Sequence, residues 1–431
     1  MPGPVDRAIL HAAPGVTWVL FLAGGEVVEI WAEGEDAPSL VGGIALVTAR
    51  VAGGAAIADL PVGSGYFRDA RPDDGARLIA EVVRDGVGAK RAVLRAKVEL
   101  AGDGVILTPF QTDLGVASGI SGKARRAAIR AAAREKLPEG IGAMVRSAAG
   151  DEAPDDIAGE VARLVEVWRG IEAAARAATA PEWLRPPPPI ADRVAAHAPG
   201  AALLIDRDGD AFRDAGGEQA LDDALARTVT VSDGTTLVVE EAETASLIDV
   251  NHARSPRGDV LVRANARAVA EAARIARLRG LRGTILVDPP RMRGRADREA
   301  VAAALTAAVA GDPAVWQILG WTPGGMLECL REAPRRPLSA DLLDPLGEPR
   351  RAPRVRAWAA LARLRREAGG IARPRLRLPP DVAGWLDGPG ALLVAGERRR
   401  LGALTVAADP TLGADDLAID DELKSDTGGE G

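Results

Sequence analysis

Three side chains have the types and spacing for metal chemistry. Asp249 and Asn251 stand two positions apart at the end of one apolar run, and Asp288 ends another. Packing alone does not ask for two acids and an amide there. Mg²⁺ takes hard oxygen ligands, commonly one or two carboxylates, and keeps waters for a phosphate substrate. Asp249 and Asp288 meet that need, with Asn251 as a neutral oxygen donor to the metal or its water. The same aspartates could serve as turn or helix-capping residues, whose carboxylates accept from nearby backbone amides. Spacing leaves both readings open.

The surrounding elements must bring these residues together. TLVVEEAETASLIDVN predicts a strand hairpin ending at Asn251, and GTILVD predicts a strand ending at Asp288. Between them Val269, Ala272, Ala273 and Ala276 recur at the i, i+3, i+4, i+7 spacing of a buried helical stripe. Asn265 fits an N-cap, and Gly280 with Gly283 can stop the helix. A crossover returning to the same sheet leaves its two strands parallel. Both aspartates then fall at the carboxyl ends of their strands, where open α/β sheets place ligands.

The chain has 431 residues, 47% hydrophobic and 27% charged, enough for several cores. It has no run of 18 apolar residues, and MPGPVDRAIL lacks the basic and apolar blocks of a signal peptide, so the cytoplasm is expected and a membrane is not. The lone Cys329 excludes an internal disulfide and a cysteine-based zinc site within one chain. With only His11, His197 and His252, a histidine metal cluster or a Ser-His-Asp triad is disfavoured. The net charge of −7 argues against an RNA partner, but the distribution argues back. Twelve arginines and four acids lie between Arg254 and Arg298, and a second arginine-rich run spans Arg350 to Arg377. Phosphate contacts need local positive charge rather than a basic total. A solvated helix face would explain either run taken singly.

The run SLIDVNHARSPRGD, then NARAVAEAARIARLRGLRGTILVD, then ADREAVAAALTAAV, then WQILGWTPGGMLECLR resembles the catalytic core of the ribonuclease E/G family. The resemblance implies an α/β (α+β), multidomain protein. Its parts would be N-terminal strands of a ribonuclease-H-like subdomain (1–33) and an inserted S1-like OB barrel for RNA binding (34–110). A 5′-sensor-like subdomain (111–185) and a ribonuclease-H-like remnant (186–228) would follow. Last come a deoxyribonuclease-like α/β catalytic domain (229–343), a small C-terminal domain (344–418) and a disordered acidic tail (419–431). It implies a Mg²⁺-dependent endoribonuclease that cuts single-stranded RNA and leaves a 5′-phosphate. Asp249 and Asp288 would be the metal ligands, Asn251 their catalytic support, and Arg254 and Arg257 RNA-binding residues.

Other segments match the family less closely. In the barrel, IALVTARV, AAIADL, RLIAEVVRD, RAVLRAKVEL and GVILTP read as strands. Tyr66 and Phe67 are the candidates for stacking RNA bases, and Ile57 sits where the family usually shows phenylalanine. IGAMVRSAAG resembles a 5′-monophosphate sensor in which Arg146 and Ser147 would hold the phosphate, with Gly102 and Ile106 lining the pocket. The family's second sensor arginine is replaced by Val315, which should weaken discrimination by 5′ end. Asp206, Asp208 and Asp210 read as a turn after a strand. Glu328 and Arg331 match the family's later Gly-Leu-Leu-Glu stretch, as site-shaping or phosphate-holding residues or as a salt bridge. DPLGEPRRAPRV replaces the Cys-Pro-x-Cys motif, so no zinc is expected and a homodimer would not be built through a zinc link.

Two other classes compete. An RNA-binding paralogue with weak or no cleavage would suit the sparse aromatics and the missing sensor arginine, but has least need of Asp249, Asp288 and Asn251. A hydrolase of small phosphate esters would not need the arginine-rich surface.

Overall fold

The structure, a computed structural model, describes residues 3–231, 233–344 and 350–425. They form two compact units. One is Ser39–His197, and the other combines the chain before Ser39 with the chain after His197.

The second unit contains the six-stranded sheet that carries the aspartates. Its strands are β1 (Thr228–Thr230), β2 (Thr236–Glu241), β3 (Ala245–Asn251), β4 (Gly283–Asp288), β5 (Val315–Trp321) and β6 (Leu327–Glu332), in the order β1-β2-β3-β4-β6-β5. Helix α1 (Asp259–Arg279) joins β3 to β4, which pair in parallel, while every other neighbouring pair is antiparallel. Helix α2 (Arg295–Val309) follows β4. Strand alternation sends Ile248, Val250, Ile285, Val287, Leu327 and Cys329 to one face, against Val269, Ala272, Ala273 and Ala276 of α1 and Val301 and Leu305 of α2. Each large aliphatic buried there contributes about 1.5–3 kcal/mol. The expected stripe on α1 is therefore its core face. Its C-terminal stop is also where it was expected, with Gly280 in the left-handed conformation at φ 67°.

Asn265 is not the N-cap. The N-cap lies seven residues earlier, at Gly258, because the Asp259–Val262 stretch already satisfies helical bonding back to the Gly258 carbonyl. Asn265 is fully buried inside α1.

A four-stranded sheet of the same unit pairs Ala202–Asp206 with Arg7–Ala13, followed by Val16–Ala23 and Glu26–Gly34. Asp206 ends its strand rather than standing in the turn after it, and its carboxylate holds that turn by accepting from the amides of Gly209 and Phe212. A small C-terminal sheet joins Thr405–Ala408, Pro374–Leu378 and Ala418–Asp421. The last of these strands corrects the expectation of disorder from residue 419. Asp420 pairs with Arg375 and Arg377 across the ladder, so a charge run that looked solvated is neutralised in place. Residues 426–431 of that tail, and residues 345–349 of the segment standing where a zinc motif would fall, lie outside the described residues.

In the other unit, strands Ile44–Ala52, Ala55–Asp59, Ser64–Phe67, Ala92–Arg95 and Arg77–Arg84 follow one another, and the last pairs back with the first. This is a closed five-stranded barrel of OB-like form, packed with small residues such as Ala45, Ala49, Ala58 and Ala80. SGYF supplies a strand that sequence patterning passed over. GVILTP, expected in the barrel, instead belongs to a separate sheet with Leu100–Ala101, Gly142–Val145 and Leu114–Val116. Helices Lys123–Lys136 and Pro154–Ala177 cover that sheet.

Candidate active site

Asp249 and Asp288 are direct register partners on the parallel pair β3 and β4. Neighbouring strands run about 4.8 Å apart. Ile248, Val250 and Val287 face the helices, so both aspartates stand on the opposite, half-exposed face of the sheet. Asn251, two residues on, shares that face, and its Nδ2 donates to Asp249 Oδ2 at 2.7 Å. That bond commits the amide nitrogen and leaves the Asn251 Oδ1 without a partner among the described residues. The Asp288 carboxylate takes part in no ion pair and no side-chain hydrogen bond among the described residues. Glu328 lies opposite Leu286 on β6 and so belongs to the same face.

The donor set fits Mg²⁺. Two carboxylates and an amide oxygen leave room for the waters that this ion retains. Among the described residues no group of three or more His, Cys, Asp or Glu side chains is placed to hold a metal ion. Cys329 is no nucleophile: burial, then the neighbouring Glu328 carboxylate, push its thiol up to about 12.

A buried hydrogen-bond relay holds the two strand ends. Asn265, 0% exposed, donates from Nδ2 to the Pro290 carbonyl at 2.8 Å, and its Oδ1 lies 2.8 Å from His252 Nε2. Because Oδ1 can only accept, His252 carries a proton on Nε2. Its Nδ1 then meets the Thr235 hydroxyl at 3.0 Å. His252 follows β3 directly, and Pro290 is two residues past Asp288. One side chain on α1 thereby ties together the exits of both aspartate-bearing strands. Sequence reasoning placed Asn265 at a cap; its position four residues before Val269, on the apolar stripe, was the signal for this different role. Beside it, Asp233 is held down to about 2 by hydrogen bonds from the Thr235 side chain and backbone and then by the Arg267 guanidinium.

The arginine-rich runs divide by partner. Arg267, Arg274, Arg277, Arg279 and Arg295 pair with Asp233, Glu271, Glu29, Glu241 and Glu299. The second run is mostly internal structure: Arg350, Arg351, Arg356, Arg365 and Arg377 pair with Asp344, Asp222, Asp381, Glu397 and Asp409. Arg331 is withdrawn as a phosphate ligand, because it is buried against Asp312 at 2.8 Å and donates to the Leu281 carbonyl at 2.7 Å. Arg254 and Arg257, in the loop after β3, are exposed and have no carboxylate partner among the described residues.

In the barrel, Phe67 is withdrawn as a base-stacking residue. It is 2% exposed and packs with Val47, Val82 and Leu94, since alternation along SGYF turns it inward and Tyr66 outward. Tyr66 is half-buried, opposite Ile57 in register, and its hydroxyl accepts from Arg84 Nη2 at 3.2 Å.

The sensor candidates do meet. Ile106 pairs with Met144, the Arg146 amide donates to the Gly104 carbonyl at 2.8 Å, and its guanidinium reaches the Gly102 carbonyl at 3.5 Å. Ser147 is exposed at the start of a 3₁₀ turn. A residue that sequence reasoning missed changes this corner: Glu160, with its side chain 9% exposed, accepts the Gly104 N–H with both oxygens at 3.1 and 3.3 Å. A Cβ on Gly102 would lie 2.0 Å from the same carboxylate. Burial, then Glu160, Asp103 and Asp156, raise the pKa of Glu152 close by. A backbone donor that could bind a phosphate is therefore already taken by Glu160, which also pairs with Arg163.

The Ribonuclease E/G family profile matches residues 99–201 and 190–333, more than half of the chain and all of the sheet edge just described. The chain belongs to the ribonuclease E/G family. Ribonuclease E of Haemophilus influenzae is 26% identical over 294 residues, covering 60% of this chain and 31% of that protein. Ribonuclease E of Escherichia coli is 27% identical over 297 residues, covering 60% of this chain and 28% of that protein. Ribonuclease G of Salmonella typhimurium is 24% identical over 295 residues, 61% of this chain and 60% of that protein. This ribonuclease E/G-family chain thus spans less than half the length of those ribonuclease E relatives. No helix among its described residues is long and apolar enough to cross a membrane.

Proposed function

We propose that this chain is a Mg²⁺-dependent endoribonuclease acting on single-stranded RNA and leaving 5′-phosphate and 3′-hydroxyl ends. The observation that carries the reading is the pair of directly opposed aspartates at the ends of β3 and β4, one without a side-chain partner among the described residues. Held by Asp249 and Asp288, the cation would supply an acidified water and offset charge on the attacked phosphodiester. Asn251 orients Asp249 through its 2.7 Å bond. The Asn265 relay keeps the two strand ends at a fixed separation, as a near-attack geometry requires. Arg254 and Arg257 hold neighbouring phosphates and stabilise developing charge. In the same reading the barrel is S1-like, the N-terminal sheet is the remnant of a ribonuclease-H-like subdomain, and 229–343 is the deoxyribonuclease-like catalytic domain. The protein works in the cytoplasm, in RNA processing or decay, and any homodimer forms without a zinc link.

A second reading, an RNA binder with little or no cleavage, is favoured by the Glu160 carboxylate on the sensor amide and by Phe67 inside the barrel. One experiment separates the two. The purified protein is incubated with a short A/U-rich single-stranded RNA in Mg²⁺ and then in EDTA, beside Asp249→Asn and Asp288→Asn. Metal-dependent internal cuts lost in both variants support the enzyme. RNA retained but uncut under every condition supports the binder.

A further inference from the structure

Beyond Asp288 the chain forms a cavity of about 550 Å³, lined by Arg291, Met292, Arg293, Arg298, Trp321, Pro323 and Gly325. Its walls are the loop leaving β4, the first turns of α2 and the turn of the β5–β6 hairpin, all at the edge where Asp288 ends. Arg291 and Arg293 are exposed on either side of Met292, which is buried. That alternation anchors the loop in the core and turns two guanidiniums out of it. The loop is further pinned by the Asn265 bond to the Pro290 carbonyl. Arg298 is half-buried, and its carbonyl accepts from Trp321 Nε1 at 3.0 Å, which fixes the indole as one wall.

Charge sets this cavity apart from the paired arginines of the same segment. Arg267, Arg274, Arg277, Arg279 and Arg295 are all matched by carboxylates, and Arg282 by the carbonyls of Pro334 and Arg335. Arg291, Arg293 and Arg298 have no carboxylate partner among the described residues. Three like charges around one concavity repel one another unless an anion is present. The α2 N-terminus beside them begins at Gly294 with no side-chain cap, and its own acid, Asp297, lies against Gly294 and offsets part of the positive field. Guanidiniums are suited to phosphate oxygens by their planar, multi-donor geometry, and an indole wall suits a nucleobase face. The size lies within the usual range for a small-molecule site.

We propose that this cavity is a nucleotide subsite of the nuclease, in which Arg291, Arg293 and Arg298 hold the backbone phosphate of a nucleotide flanking the one at Asp288. Trp321 walls its base. The inference rests on the RNA-cleaving reading above, and its test is chosen to fail separately. Binding of a fluorescein-labelled oligouridylate to the full chain is followed by anisotropy in EDTA over a salt series. Compared with it are the Arg291→Gln/Arg293→Gln double variant, Arg298→Gln, and a control, Arg366→Gln/Arg373→Gln, which removes two exposed arginines of the C-terminal domain. Each phosphate contact on a single strand contributes roughly 0.7 to the slope of log K against log salt. Because the three guanidiniums share one phosphate, the double variant and Arg298→Gln are each expected to lose up to about 0.7 from that slope, with thermal melting unchanged, while the control keeps the wild-type slope. A wild-type slope in the cavity variants overturns the subsite and leaves the nuclease reading standing. An equal loss in the control shows a general charge effect and also overturns it. Failure of the wild-type chain to bind RNA overturns both.

Discussion

The edge that carries Asp249 and Asp288 and the loop that carries Gly102 and Gly104 treat a carboxylate in opposite ways. At the sheet edge two acids stand side by side, and the described residues offer one of them an amide and the other no side-chain partner. In the loop, Glu160 takes the Gly104 amide with both oxygens. The first arrangement is short of positive charge and suits an external cation. The second already contains its anion and so competes with an incoming phosphate. Residue types alone do not distinguish the two; what separates a binding site from a self-satisfied turn is which partner the fold supplies.

The largest test of this contrast is at the aspartates. Asp288→Asn is expected to lower cleavage by about a hundred- to a thousandfold, the scale seen when one preorganised electrostatic group is removed. RNA affinity in EDTA should stay within a few-fold. Comparable cleavage by Asp288→Asn in a gel assay would remove the sheet edge from the comparison altogether.

Next comes Phe67, where the barrel's role is at stake. Phe67→Ala should cost about 3–5 kcal/mol of stability, as for other buried aromatics, read by denaturant unfolding. Tyr66→Ala should instead leave stability nearly unchanged and weaken RNA binding by about 1–3 kcal/mol, one stacked base. A stable Phe67→Ala protein with weakened RNA binding would reverse the two assignments.

Asn265→Ala tests the relay under the aspartates. It leaves the Pro290 carbonyl and His252 Nε2 without their partner, at about 1–3 kcal/mol for each buried group. A purely structural residue would change only the unfolding curve. A positioning residue also raises the Mg²⁺ concentration needed for half-maximal cleavage, which a titration of rate against metal measures.

On the sensor side the expected effect is small. With Glu160 on the Gly104 amide and Val315 exposed on β5, cleavage of 5′-monophosphate and 5′-triphosphate RNAs should differ by less than about threefold, under a single good phosphate contact. A large preference in a competition assay would mean that the anion site opens despite Glu160.

The smallest effect is one of pH. Asp233 is held at about 2, below the ordinary carboxylate value of 3.8. A group depressed on folding contributes stability that is present above the ordinary value and lost as pH falls through the folded one. The melting-temperature gap between the wild type and Asp233→Asn should therefore be constant near neutrality and shrink between about pH 4 and pH 2. A gap that persisted at pH 2 would assign the difference to packing rather than charge.

The amino-acid order by itself determined the local parts of this protein. The apolar spacing of Val269, Ala272, Ala273 and Ala276 predicted the core face of α1, the runs ending at Asp249 and Asp288 predicted parallel neighbours, and Gly280 predicted the helix stop. These are short-range consequences of helical and strand periods, and they placed the candidate metal site. Tertiary structure decided what depended on partners far apart in the chain. It turned Phe67 inward and Tyr66 outward, moved GVILTP out of the barrel, gave Arg331 to Asp312, set Asn265 between two loops and laid Glu160 on Gly104. Periodicity tells which way a side chain alternates; only closure of the sheets fixes which face is inside and which charges meet, because ion pairs and buried amides are matched through space.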